Sequence, residues 1–111
     1  MSELGPTAEG VPTREEVDRS RGQLLLEFGA DWCPHYQAIQ AALTSQKTLH
    51  PDVRHIAVED GPGRPLGRSF RVKLWPTLVF LTDGQVIGQL VRPTPEELAE
   101  GFAAIAAARP D

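Results

Sequence analysis

The chain contains a single cysteine, Cys33, among its 111 residues. One thiol cannot form an intramolecular disulfide, so the sequence excludes a small scaffold held together by disulfide bonds. A chain of this length suits one compact domain, and its hydrophobic content of 41% is enough to bury a core without disulfides or metals.

The sequence also lacks an apolar run as long as a membrane-spanning helix requires. Its opening stretch, MSELGPTAEGVPTREE, has neither the basic start nor the apolar centre of a secretory signal. We therefore expect no membrane partner and a cytoplasmic location, where thiols stay reduced. A chain from which a signal had been removed would look the same.

Positive charge is not in excess, because 11 Lys and Arg stand against 15 Asp and Glu and the formal net charge is −4. The basic residues are spread along the chain, so the sequence predicts no nucleic-acid partner. The histidines at positions 35, 50 and 55 lack the spacing of a zinc site. The Gly-Pro loop over 60–65 lacks the Lys-Ser/Thr ending of a phosphate-binding loop. We expect no metal and no cofactor.

Two nearly continuous apolar runs, 23–28 and 77–81, predict strands that are buried on both faces of a sheet. An alternating, β-branched stretch predicts a further strand over 53–59. After the Asp-Gly turn at 82–85, residues 85–91 are expected to return as the antiparallel partner of 77–81.

Helices are predicted by capping signals and by the helical spacing of apolar residues. The pattern Thr13-Arg14-Glu15-Glu16 predicts a short helix ending near residue 21, and Thr94-Pro95-Glu96-Glu97 begins the final helix. Further helices are expected over 34–48 and over 65–70. The order α-β-α-β-α-β-β-α predicts an α/β fold with a mixed central sheet and helices on both faces. We place this domain at 13–111, after a flexible lead-in at 1–12.

The stretch ADWCPHYQ over 30–37 contains the only thiol. Pro34 fits the first turn of a helix, so Cys33 is expected at the helix N-terminus. Unpaired N–H groups and the helix dipole there favour the thiolate, which is the reactive form of cysteine. Tyr36 follows one helical turn later and shares the face of Cys33. This pattern indicates an accessible, reactive thiol; alternatively, Tyr36 simply packs over an idle cysteine.

These residues resemble the thioredoxin family over about residues 20–108. The resemblance is carried by the strand and helix start LLLEFGADWC, by the segment Trp75-Pro76-Thr77-Leu78-Val79-Phe80, and by the hairpin turn FLTDGQ. It implies a thioredoxin-like fold, thiol–disulfide exchange and a cis bond before Pro76. Two features depart from the family pattern: no N-terminal strand is evident, and Tyr36 stands at the position of the resolving cysteine. The Pro34-His35 pair is closer to the Cys-Pro-His-Cys of periplasmic disulfide oxidases than to the Cys-Gly-Pro-Cys of thioredoxins.

The resemblance assigns catalytic roles to three residues. Cys33 is the expected nucleophile. Glu27, six residues earlier, matches the buried acid that thioredoxins use for proton transfer, and burial would raise its pKa. Alternatively, Glu27 is an edge residue that reaches solvent. His35, if protonated, would add a positive neighbour to the thiolate, or it is a solvated histidine without a task.

The resemblance also implies a substrate-binding surface formed by Trp32, Trp75, Pro76 and Thr77. Trp32, beside the thiol, is either part of this surface or an ordinary partly buried aromatic residue. A cis bond at Pro76 would expose the Trp75 backbone for strand-like pairing with an extended substrate. The bulky Trp75 side chain could instead cap Cys33 and restrict access to it.

A site with one thiol can attack a disulfide and form a mixed disulfide, but Tyr36 cannot resolve it. Release then depends on an external thiol. The sequence therefore predicts a monomeric exchanger with a single nucleophilic cysteine. Its expected partners are protein or peptide thiols and disulfides, with glutathione as a further candidate. One rival function is a redox-inert thioredoxin-like binding module or chaperone that uses the same groove. Another is a glutathione-linked monothiol protein resembling glutaredoxins, against which the Trp before Cys33 and the order Trp-Pro-Thr argue.

Overall fold

The structure, a computed structural model, describes residues 11–30 and 33–108. Its helices and strands follow the predicted order, except that one expected helix is divided in two. The elements are α1 (Arg14–Asp18), β1 (Gln23–Gly29), α2 (Pro34–Ala38), α3 (Gln40–Leu49), β2 (Arg54–Glu59), α4 (Pro65–Ser69), β3 (Thr77–Thr82), β4 (Gln85–Val91) and α5 (Pro95–Ala107).

The predicted lead-in at 1–12 falls mostly outside the described residues, which begin at Val11. Val11 packs against one of the hydrophobic clusters, and Pro12 is buried. These two residues therefore belong to the packed domain, and the predicted boundary at residue 13 lies slightly too late.

The helix expected over 34–48 is interrupted at Ile39, which ends α2 and precedes α3. The Gln40 side chain donates a hydrogen bond from Nε2 to the Tyr36 carbonyl at 3.0 Å. A side chain that inserts into the i→i−4 backbone ladder is a common cause of such a break. Ile39 itself is 8% exposed and packs in the core, so the break turns an apolar residue inward.

The four strands form one mixed sheet in the order β2-β1-β3-β4. β2 is parallel to β1, whereas the β1–β3 and β3–β4 pairs are antiparallel. The sequence prediction of a mixed α/β sheet is therefore confirmed. No N-terminal strand precedes β1 in the part of the chain that the structure describes.

Each face of the sheet carries its own hydrophobic cluster, as expected for helices on both sides. α1 and α4 cover one face, whose buried residues are Val17, Leu24, Leu26, Phe28, Val58, Leu66, Phe70, Val79 and Leu81. α3 and α5 cover the other face, with Leu25, Ile39, Leu43, Val53, Leu78, Phe80, Leu98, Phe102 and Ile105. None of the helices described here is long and apolar enough to cross a membrane.

The hairpin between β3 and β4 turns through Asp83 and Gly84, which have φ angles of 51° and 80°. Two successive positive φ angles are what the Asp-Gly hairpin signal predicts. The Asp83 side chain accepts a hydrogen bond from the Gly22 N–H at 2.7 Å. This contact ties the turn to the start of β1, and so helps to hold β1 and β3 in register.

Candidate active site

Cys33 directly precedes α2 as its N-cap, and Pro34 occupies the first turn, as predicted. The Cys33 N–H donates to the Ala30 carbonyl at 2.9 Å, and its own carbonyl accepts from the Gln37 N–H at 3.0 Å. The residue is only 6% exposed. The thiol is therefore less accessible than the sequence suggested.

Pro76 lies at the same end of the sheet as the chain that leads to Cys33. Antiparallel pairing sets Thr77, the first residue of β3, beside Phe28 near the end of β1. The Asp60 N–H, just after β2, donates to the Gly29 carbonyl at 3.0 Å. The Trp75–Pro76 peptide bond is cis and Pro76 is buried. The segment that ends at Cys33 and the segment around Pro76 thus lie at the same end of the sheet.

Two residues that the sequence did not single out hold Trp75. Its indole Nε1 donates to Oδ2 of Asp60 at 2.8 Å. Its carbonyl oxygen accepts from Nε of Arg92 at 3.0 Å, while the Arg92 N–H donates to the Pro76 carbonyl at 2.9 Å. The Trp75 carbonyl already has this donor, so an extended partner that pairs with the segment would meet the Arg92 guanidinium there.

Thr77 was predicted to contact substrate, but its side chain faces inward. The residue is fully buried, and its hydroxyl donates to the Leu74 carbonyl at 2.6 Å. The hydroxyl therefore braces the turn that precedes β3. A role of this side chain in substrate contact is wrong, because no partner can reach it in this arrangement.

Glu27 is buried in the middle of β1 and is 1% exposed, so the alternative of an edge residue that reaches solvent is wrong. Among the residues that the structure describes, three side chains approach its carboxylate. The Tyr36 hydroxyl donates to Oε1 at 3.2 Å, and Gln40 Nε2 donates to Oε2 at 3.0 Å. Nε2 of His55 lies 3.2 Å from Oε1. This last pair lacks the alignment of a good hydrogen bond, so we regard it as an electrostatic contact.

The expected direction of the Glu27 pKa is corrected by these neighbours. Burial by itself raises the pKa of this carboxyl, and it is the largest single influence. The His55 imidazole, the Gln40 amide and the Tyr36 hydroxyl act in the opposite direction, and together they hold the Glu27 pKa below its ordinary value of 4.5. Glu27 is consequently ionised at neutral pH, which makes it a poor proton donor.

Tyr36 occupies the space between α2 and the end of β1. A Cβ atom added at Gly29 would lie 2.1 Å from Cδ1 and 2.6 Å from Cε1 of the Tyr36 ring. The ring therefore rests directly on the Gly29 backbone, while its hydroxyl reaches Glu27. At the position predicted for a resolving thiol, the structure holds an aromatic side chain that is fixed at both ends.

Two predicted site residues remain, His35 and Trp32. His35 is exposed, as expected for either of its two predicted roles. Trp32, predicted to help bind substrate, lies outside the described residues.

Sequence reasoning missed His55 and Gln40, although a signal existed for each. Gln40 follows Tyr36 by four residues, a spacing that places two side chains on one helix face. His55 pairs with Leu25 in the parallel register, which puts it on the same face of the sheet as Glu27. Only the strand register shows that His55 lies near Glu27.

Comparisons with known proteins agree with this geometry. The family model described as Thioredoxin matches residues 11–104. The solved structure of thioredoxin 2 from Pseudomonas aeruginosa, in its reduced form, is 50% identical, with a TM-score of 0.80 over 88% of this chain and 92% of that one. Mitochondrial thioredoxin-3 of Saccharomyces cerevisiae is 29% identical over 84 residues, which cover 76% of this chain and 66% of the relative. Protein disulfide-isomerase A2 of Pongo abelii is 36% identical over 77% of this chain but only 17% of its own length.

Proposed function

Because this chain belongs to the thioredoxin family, we propose that it performs thiol–disulfide exchange with Cys33 as its sole nucleophile. The Cys33 thiolate attacks a disulfide of a protein or peptide partner. A bond forms between Sγ and one partner sulfur, and the other partner sulfur leaves as a thiolate. The product is a mixed disulfide between this protein and its partner.

The observation that carries this proposal is the combination of Cys33 before α2 with Tyr36 at the next turn of the same face. A neighbouring thiol resolves a mixed disulfide fast because its effective concentration is very high. Tyr36 cannot supply that thiol. The mixed disulfide therefore persists until an external thiol arrives, from a second cysteine of the partner or from glutathione.

The other predicted roles are included in this proposal with one change. Trp75 and Pro76 position the partner, Trp32 adds to that surface, and exposed His35 adds positive charge when protonated. Glu27 does not transfer a proton to the thiol; as an ionised acceptor it fixes Tyr36. The protein acts as a monomer in the cytoplasm, where a pool of reduced thiols supplies the resolving step.

Two experiments test the proposal: trapping of the mixed disulfide on Cys33, and turnover in a disulfide reduction assay. Incubation with a peptide carrying an activated disulfide should add the mass of one peptide to the natural chain and none to Cys33→Ser. In an insulin reduction assay driven by dithiothreitol, the natural chain should be nearly inactive and Tyr36→Cys should gain activity. If Tyr36→Cys folds but stays inactive, the geometry that we assign to positions 33 and 36 is wrong.

A second candidate function is a redox-inert binding module or chaperone that uses the same edge of the fold. The low exposure of Cys33 favours it, because a thiol that is 6% exposed is poorly placed for rapid encounter. The trapping experiment separates the two functions. A binding module would leave the activated peptide unreacted and would bind a reduced peptide equally well before and after Cys33→Ser.

A further inference from the structure

The Tyr36 side chain does more than leave the site without a second thiol, because its hydroxyl and its ring are both held in place, and a further hydrogen bond holds its backbone. Its hydroxyl donates to Glu27 at 3.2 Å. Its carbonyl accepts from Gln40 at 3.0 Å. Its ring rests on Gly29, where even a methyl group would come within 2.1 Å of Cδ1. A side chain held in this way keeps one position through the exchange reaction.

Helix geometry then places the ring on the inner side of Cys33, away from an approaching partner. Residues three apart on a helix are neighbours, and helical side chains lean towards the N-terminus, so Tyr36 leans towards the turn that starts at Cys33. The ring fills the space between α2 and β1, from which a thiol at position 36 would attack. Ionised Glu27 lies beyond the ring, and its negative charge disfavours a second anion there.

The products of resolution depend on which sulfur of the mixed disulfide the incoming thiol attacks. The disulfide has two sulfurs, and an incoming thiolate attacks one of them in line with the bond that breaks. Attack on Sγ of Cys33 must come from the side opposite the partner. It leaves the incoming thiol bonded to Cys33 and releases the partner as a thiolate. Attack on the partner's sulfur leaves the incoming thiol bonded to the partner and releases the Cys33 thiolate.

We propose that Tyr36 is a positioning residue that directs the resolving thiol to the partner's sulfur by covering the rear of Cys33. This inference rests on the proposed function, since it concerns the mixed disulfide formed there. In each resolution one sulfur–sulfur bond forms and one breaks, and no electrons leave the thiol pool. Cys33 is regenerated free while the disulfide remains on the partner.

The substrate class follows from this direction of attack. A partner with a second thiol near the bonded cysteine closes its own disulfide when it leaves, so the protein rearranges the disulfides of its partners. A partner with one thiol leaves carrying the incoming thiol, for example as a glutathione adduct. Net reduction of partners is disfavoured.

The experiment uses two starting adducts of the full chain, one with a single-cysteine peptide on Cys33 and one with glutathione on Cys33. The first adduct is mixed with glutathione and the second with the reduced peptide. Each reaction is quenched with acid at early times and analysed by intact mass. In both directions we expect free protein and the peptide–glutathione disulfide to form in roughly tenfold excess over exchange on Cys33. Attack on Cys33 has to displace the packed Tyr36 ring, and the cost of this displacement raises the barrier of that path.

Running the reaction in both directions separates the protein's geometry from the chemistry of the two thiols. A preference that arises from the difference between the peptide and glutathione thiols reverses when the two are exchanged. Release of the Cys33 thiolate is common to both directions, so the Tyr36 variants separate the effect of the ring from the leaving-group strength of Cys33. Tyr36→Phe keeps the ring and should keep the preference. Tyr36→Leu, a smaller apolar residue, should allow exchange on Cys33 to rise several-fold. Circular dichroism establishes that each variant is folded.

The outcomes distinguish this inference from the proposed function. If no adduct forms on the natural chain, the proposed function fails and the inference fails with it. If adducts form but exchange on Cys33 is as frequent as release of free protein, or if the preference reverses with the thiols, the inference alone is overturned. The natural chain alone can overturn the inference in this way, even if Tyr36→Leu does not fold.

Discussion

The substitution Gly29→Ala tests the placement of Tyr36 directly. The added Cβ would meet the ring at 2.1 Å from Cδ1 and 3.0 Å from Cγ, which no small rotation relieves. The ring must leave its place, and the hydroxyl then loses Glu27. Overpacking of this kind costs about 1–3 kcal/mol. Loss of a hydrogen bond to a charged acceptor costs about 1.5–3 kcal/mol.

Alanine recovers part of this cost, since it is better tolerated than glycine in a strand by about 0.5–1 kcal/mol. We therefore expect Gly29→Ala to lower the free energy of unfolding by about 3 kcal/mol. Urea unfolding followed by far-ultraviolet circular dichroism measures this value. Gly88→Ala is the matched control, because a Cβ at that position on β4 meets nothing within 4 Å. Without a steric contact, this substitution should stabilise the protein by about 0.5–1 kcal/mol.

A double-mutant cycle then isolates the contact between positions 29 and 36. With Tyr36→Ala as background, the methyl group enters empty space, so Gly29→Ala should become neutral or slightly stabilising. The coupling energy between the two substitutions should reach about 3 kcal/mol. A coupling energy near zero would mean that the ring does not rest on Gly29, and the direction of attack inferred for the mixed disulfide would lose its basis.

Three further predictions concern the residues around the site. Glu27 has a pKa below 4.5 in the folded protein, so its contribution to stability is complete above pH 4.5 and is lost as the pH falls through the folded-state pKa. Unfolding at a series of pH values should therefore show the natural chain losing stability relative to Glu27→Gln on acidification, and a constant difference would contradict this. Trp75→Phe removes the 2.8 Å hydrogen bond to Asp60 and should cost about 1 kcal/mol; the same substitution in an Asp60→Asn background should cost less. Thr94→Ala removes the N-cap of α5, whose hydroxyl accepts from Glu97 at 3.1 Å, and should cost about 1 kcal/mol in urea unfolding without changing the rate at which peptide adds to Cys33.

Local signals in the sequence were sufficient for most elements of the fold. Both capping boxes, at Thr13 and Thr94, are present with their reciprocal hydrogen bonds, because a capping box involves only residues three apart. Likewise, Pro34 places Cys33 before α2 without help from the rest of the chain. Such features depend on neighbours along the sequence, so composition and spacing predict them well.

The candidate site was predicted less completely because its contacts join distant elements. His55 meets Glu27 only through the register between β1 and β2, which no local pattern reveals. The Glu27 pKa was predicted in the wrong direction for the same reason. Burial can be inferred from an apolar strand, but the side chains that oppose its effect on the pKa, Tyr36, Gln40 and His55, come from α2, α3 and β2.

The seating of Tyr36 on Gly29 has a genetic consequence. Tyrosine and cysteine codons differ by one base, so a second thiol at position 36 is always one point mutation away. That mutation alone empties the space above Gly29 and removes a donor from Glu27, so it should arrive with a loss of stability. A protein with cysteine at position 36 does not need glycine at position 29, because a methyl group there would fill part of the space that the tyrosine ring occupied. We expect the two positions to change together over evolution, with glycine retained wherever tyrosine is.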